Sequence, residues 1–163
     1  MRGEKIMNKS NFFSQTAPSI NFIAVILCAV GVVSTLLAKV VEKASYMGES
    51  IKEATSIMTV YGAFMLVLFV LTAVILFLKK NNSALILAVI NALFCIFKLI
   101  QQLAHLGLGA EEKAAIEMIE AFGGSYSMSV NFFFWLMVIA AIAIVVVLLL
   151  PLFGAKKDQA PQM

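Results

Sequence analysis

The sequence predicts an all-α, polytopic membrane protein: a bundle of four transmembrane helices with a short amphipathic helix in the second outer loop. Two observations predict it. Four apolar runs are each long enough to cross about 30 Å of hydrocarbon at about 1.5 Å per residue. The composition also leans toward lipid. Of 163 residues, 62% are hydrophobic and 13% charged, against roughly 45–50% and about 25% in a soluble domain.

The first run covers 20–41, INFIAVILCAVGVVSTLLAKVV, and the second 57–78, IMTVYGAFMLVLFVLTAVILFL. The third covers 84–104 and the fourth 130–153. β-branched residues are plentiful in them. A segment surrounded by lipid must still satisfy its own backbone hydrogen bonds, so helix is the expected form. The first run is too long for a signal-peptide core and no small-residue cleavage site follows it, so it is expected to be retained.

The connecting segments set the orientation. Arg2, Lys5, Lys9, Lys79, Lys80, Lys156 and Lys157 fall on one side, and Lys43, Lys52 and Lys113 on the other, with Lys39 and Lys98 counted inside spans. An excess of Lys and Arg in short flanks marks the cytoplasm. The expected organisation is a cytoplasmic N-terminus over 1–19, one transmembrane domain over 20–153, and a cytoplasmic tail over 154–163. The outer loops are then 42–56 and 105–129, and the membrane is the cell (cytoplasmic) membrane. The KKNNS link is expected to be a tight inner turn, with Asn82 or Ser83 capping the third helix.

The opening MRGEKIMNKSNFF allows a start at Met7. Arg-Gly-Glu can be encoded by a purine-rich string like a bacterial ribosome-binding site, which would make the first six residues a translated leader and the source bacterial. The alternative is an ordinary basic N-terminus.

The first outer loop, EKASYMGESIKEATS, has Gly48 as its only breaker and no proline. It is expected to continue the first two helices as a helical hairpin. In the second loop, Gly107 and Gly109 end the third helix. The stretch AEEKAAIEMIEAF then sets Ala115, Ile116, Ile119 and Phe122 on one helical face, with Glu112, Lys113, Glu117 and Glu120 largely opposite. Glu111 and Glu112 suit its positive N-terminal end, and Gly123-Gly124 closes it. A lid on the bundle is expected rather than a lipid-gripping helix, because an acidic face does not attract anionic headgroups. Tyr126, Phe132, Phe133, Phe134 and Trp135 are expected to form an aromatic belt at the outer boundary.

Two sets of residues inside the spans are candidates for a role. Asn91, Cys95, Lys98, Gln102 and His105 are spaced 4, 3, 4 and 3 along the third run, which aligns them on one helix face, with Gln101 beside it. Lys98 sits about 21 Å up its helix, leaving about 9 Å to the outer edge, a distance a lysine stem nearly spans. A polar stripe of this kind faces protein or water, not lipid. It is either satisfied within one subunit, by Asn91 on Thr72 and Lys98 on Tyr61, or it lines a water path between subunits. The second set is the small-residue seam Ala24, Cys28, Gly31, Thr35 and Ala38, which permits close helix approach.

Several function classes are excluded by what the chain lacks. It carries no HExxH, GxSxG, phosphate-binding loop or CxxC motif, and His105 is its one histidine. No catalytic residues, metal ligands or cofactor are expected. The net charge of +3 is scattered, without the basic stripe nucleic acid requires. The two cysteines, Cys28 and Cys95, lie in apolar runs as packing residues. The expected partners are the lipid bilayer and either further copies of the chain or another membrane protein. The expected function is non-enzymatic: a self-associating membrane scaffold or accessory subunit acting through its outer loops. The alternative is an oligomeric channel or small transporter with a polar path lined by the third helix.

Four spans, both ends inside and a larger second outer loop resemble, in plan, the claudins and the tetraspanins. The claudin tryptophan-cysteine and tetraspanin cysteine-glycine signatures are both missing here, so the resemblance carries over no residue roles.

Overall fold

The computed structural model describes residues 18–59, 61–104 and 108–154. It is mostly helical. The elements run α1 (Pro18–Leu37), β1 (Lys39–Tyr46), β2 (Glu49–Ser56), a 3-10 turn (Ile57–Thr59), α2 (Gly62–Phe77), α3 (Asn81–Leu103), α4 (Ala110–Ala121), β3 (Ser125–Val130) and α5 (Phe132–Gly154). Helices α1, α3 and α5 are long and apolar enough to cross a membrane; α2, with 16 residues, is a shorter apolar helix.

Each of these four helices packs on two others: α1 on α2 and α5, and α3 on α2 and α5. Small side chains set the spacing. Ala24, Cys28, Thr35, Ala84, Ala88 and Ala141 are all buried. At Gly31 a Cβ would land inside the Phe69 ring of α2, so glycine is what lets α1 and α2 meet there. Two buried threonine hydroxyls stay within their own helices. Thr35 Oγ1 donates to Gly31 O and Thr72 Oγ1 to Leu68 O, each at 2.7 Å. That is the usual way a hydroxyl is satisfied where water is absent.

The first outer loop departs from expectation. Residues 39–56 form a β-hairpin, not a helical one, and the helix of the first run stops at Leu37. Met47 and Gly48 have φ of 49° and 86°, so both turn residues are left-handed. This is the pattern of the two-residue turn whose twist suits an antiparallel hairpin, and glycine takes the second place without strain. β3 adds to the other side of β1, giving an antiparallel sheet in the order β2-β1-β3. The pairing places Lys39, expected inside a span, at the start of β1 with its side chain exposed. Adding Lys39 to the residues outside the spans changes the expected count of basic residues from seven against three to seven against four.

Residue identities explain the remaining boundaries. The helix of the second run begins at Gly62 after the 3-10 turn, and Tyr61 N–H donates to Ile57 O at 3.1 Å. α3 begins at Asn81 with no side-chain cap, while Asn82 and Ser83 are exposed in its first turn. Asn81 instead accepts from Asn21 Nδ2 at 3.1 Å, tying the start of α3 to α1. α4 ends in a Schellman motif: Gly123 N–H meets Glu120 O at 3.0 Å and Gly124 N–H meets Ile119 O at 2.9 Å. α4 packs on β3 and buries no residue fully, so it leans on the sheet and is not a lid on the helices.

Asn131 joins the two layers. Its Oδ1 accepts from Phe134 N–H at 3.1 Å, capping α5, and from Lys39 N–H at 3.0 Å. Its Nδ2 donates to Leu37 O at 2.9 Å, and its own N–H donates to Lys39 O at 3.0 Å. Asn131→Ala is expected to lower stability by about 1–2 kcal/mol, the worth of a cap whose exposed partners regain water. Asn131→Asp keeps the acceptor and loses the donor, so it should fall between the two. Thermal unfolding in detergent measures both; equal midpoints for all three proteins would show that the clamp contributes nothing.

Candidate functional site

The polar stripe of α3 divides into two parts. Asn91 and Cys95 are buried, at 2% and 0% exposure, and Cys95 Sγ meets Asn91 Oδ1 at 3.7 Å. Thr72 does not bond Asn91; its hydroxyl goes to its own helix. Lys98, Gln101 and Gln102 are half-buried one to two turns further on. His105 lies outside the described residues.

Lys98 is surrounded by rings. Its Nζ stands 4.9 Å from the Tyr61 centroid, 5.7 Å from that of Phe94 and 5.8 Å from that of Phe97. It also donates to Gln101 Oε1 at 2.8 Å. An ammonium over an aromatic face is attracted by the ring's negative face, and more strongly where water is scarce. This arrangement answers how a lysine sits in an apolar helix. Its stem lies along the protein and its charge faces π-electrons and an amide oxygen. The contact with Tyr61 is to the ring. The Tyr61 hydroxyl is itself buried, with no hydrogen-bond partner among the described residues, although the Gln102 side chain is near enough to act on it.

The seam residues Ala24, Cys28, Gly31, Thr35 and Ala38 are all buried. Their helix faces α2 and α5 of the same chain. Ser34 beside them is buried as well.

The aromatic cluster is split by the fold. Phe134 is fully buried in the helical core, whereas Phe132 and Trp135 are exposed. Phe132 and Phe133 meet edge to face at 5.7 Å. Tyr126 belongs to β3, not to the boundary of a helix. Burial first, then the Glu42 carboxylate that its hydroxyl meets, push the Tyr126 phenol up to about 12. Asn131 is the residue missed in the sequence. An Asn directly before an apolar run is a helix-start signal, hidden here because the apolar Val130 precedes it.

Among the described residues, no three His, Cys, Asp or Glu side chains come together as a metal site would need. A surface cavity between α1 and α5 is lined mainly by aliphatic and aromatic groups, among them Ile26, Val30, Val33, Phe133 and Leu136, whereas one between α1 and α2 also includes Asn21 and Lys79. What the fold defines is a mostly helical chain with membrane-length apolar helices and a charged sheet at one end. Compared with protein-family models, curated proteins and solved structures, the chain matches none.

The Lys98–Tyr61 contact should be measurable by a double-mutant cycle. Lys98→Met and Tyr61→Leu are expected to couple by about 0.5–2 kcal/mol. Lys98→Met alone should stay within about 1 kcal/mol of wild type, because losing the ring contact is offset by no longer desolvating an ammonium. Additive effects in thermal unfolding would mean the lysine draws nothing from the ring.

Proposed function

We propose that the chain is a non-enzymatic, multi-pass protein of the cell membrane, with α1, α2, α3 and α5 as a four-helix transmembrane bundle. The sheet and α4 lie outside, and both termini lie in the cytoplasm. It acts as a self-associating scaffold or accessory subunit through that outer layer. The observation that carries this reading is the distribution of exposed side chains. The outward surfaces of all four helices are apolar, with Phe22, Phe64, Val70, Phe97, Ile139 and Val146 among their exposed residues. A contiguous apolar surface of this extent needs lipid or protein around it. The outer layer is the reverse, with charged side chains on both sides of a sheet that is itself largely exposed.

α2 spans about 24 Å at 1.5 Å per residue, short of the roughly 30 Å core. The 3-10 turn and Tyr61 lengthen it at the sheet end, and the buried Met65, Phe69, Thr72 and Leu76 hold it among the other helices. Orientation rests on the basic residues: the end bearing Lys79 and Lys80 carries the excess. The channel alternative draws on the half-exposed Lys98 and Gln102. Against it, the same helix face turns Asn91 and Cys95 into the core, and Lys98 rests on rings instead of opening to a path.

Purified mass in lipid nanodiscs and planar-bilayer conductance test the two readings together. Stable oligomers without conductance are expected. A current whose ion preference reverses in Lys98→Glu would make the protein a pore and end the scaffold reading. For orientation, cysteines at Lys52 and Lys113 should label from outside intact cells and one at Lys79 should not; the reverse pattern would invert the topology.

A further inference from the structure

The outer sheet sorts its charges by face. Residues paired across antiparallel strands point to the same side, so the register assigns each one. Lys39, Lys43 and Lys52 all share one face with serines of all three strands, and Glu42, Glu49 and Glu53 all share the other. Helix α4 stands on the glutamate side. Phe122 at its C-terminal end packs edge-on against Tyr46, with centroids 6.4 Å apart, and Glu112 acts on Tyr126. α4 adds its own acids: Glu111, Glu117 and Glu120 are exposed, with Lys113 as its one cation. The outer layer is therefore basic on one side and acidic on the opposite side.

The hairpin also gives up an easy stabilisation. Lys43 stands directly opposite Lys52, and Glu42 directly opposite Glu53. Opposite charges at such positions stabilise a strand pair and like charges weaken it. Exchanging Lys52 and Glu53 in sequence would have made both pairs attractive. The observed order does the reverse, and in doing so keeps every sheet lysine on one face and every sheet glutamate on the other. Like charges held together on one face are relieved when an opposite surface meets them.

A surface of that kind exists on the chain itself. Copies in one membrane share orientation, so their outer layers lie at one height. Two copies side by side can then set the lysine face of one against the acidic α4 of the next. We propose that the lysine- and serine-bearing face of the outer sheet docks α4 of a second copy of this chain. The contact is head to tail, and it builds a ring if the rotation closes and a row if it does not. It rests on the scaffold reading above and names the surfaces that reading would use.

Charge reversal and its rescue test it, on the full chain in lipid nanodiscs and in native membranes by chemical cross-linking. Lys43→Glu with Lys52→Glu should weaken self-association about tenfold or more, as should Glu117→Lys with Glu120→Lys. The two sets combined should restore it. Raising salt from about 50 mM to about 500 mM should weaken the wild type, because the shorter screening length removes most of the attraction between exposed charges. Lys52→Glu alone guards against a folding artefact. It creates an attractive pair with Lys43, so its thermal midpoint should hold or rise while association falls.

Oligomers indifferent to salt and to both reversals would overturn this contact and leave the scaffold reading standing, with the helices holding the copies together. A monomer under every condition would overturn both. If the lysine reversals act and the α4 reversals do not, the lysine face is meeting another anion, such as a lipid headgroup, and the proposal fails.

Discussion

The side chain of Asn131 is where the helical layer and the sheet are fastened to each other. Four hydrogen bonds converge on this one residue. They start α5, receive the end of α1 and set β1 alongside β3. Without a fixed junction, β1 and β3 would approach from helices α1 and α5 with no defined register. The pairing of Val40 with Val130 follows directly from Asn131 lying beside Lys39. An asparagine suits the place because one amide supplies both an acceptor for the exposed N–H groups of a helix start and a donor for the carbonyl of a helix end. The β1–β3 register, and so the placing of the β3 serines beside the lysines of β1, is measured from that point.

Below the junction, apolar helices pack closely on one another and leave apolar side chains on their outer surfaces as well. Their interior combines small residues such as Ala24, Cys28 and Ala88 with large ones such as Phe69, Phe134 and Met137, and the Thr35 and Thr72 hydroxyls are bonded to their own helices, while further aliphatic and aromatic groups face out. Apolar side chains gain little by leaving lipid for a protein interior. Close backbone approach and dispersion contacts do the holding instead, and small residues allow both. The fit of Phe69 over Gly31 is the clearest instance. Lys98 follows the same economy of polarity: its charge is met by rings and a neighbouring amide within reach, so the helix can carry it without an opposite charge beside it.

The sheet and α4 differ from the helices in carrying most of the described charged side chains. β2 is exposed over nearly all its length, β1 and β3 are partly buried, and α4 rests on β3 without burying a residue fully. Little apolar area holds this layer together, so backbone pairing and the Asn131 junction matter more there than in the helices. Charges can then be arranged for an external partner at small internal cost. In the helices no such freedom exists, since each unpaired charge would need rescue.

What the sequence determined by itself was the helical part. The long apolar runs, read at 1.5 Å per residue, locate α1, α2, α3 and α5, and the periodicity of AEEKAAIEMIEAF with its two closing glycines locates α4. Those signals are local: hydrophobic length and 3.6-residue repetition are written in consecutive residues. The strands were not legible. KVVEKASY and ESIKEATS are rich in Glu, Lys and Ala, which favour helix, and their turn is Met-Gly, not the Asn-Gly or Asp-Gly that marks a hairpin. Only tertiary structure decided them, because β1 is held on one side by β2 and on the other by β3, whose paired residues lie 80 to 90 positions later in the chain. The stripe of α3 shows the same division. Its alignment on one face was readable from spacing, but whether Lys98 met a hydroxyl, a ring or water depended on where Tyr61 arrives after the 3-10 turn, and no run of consecutive residues encodes that.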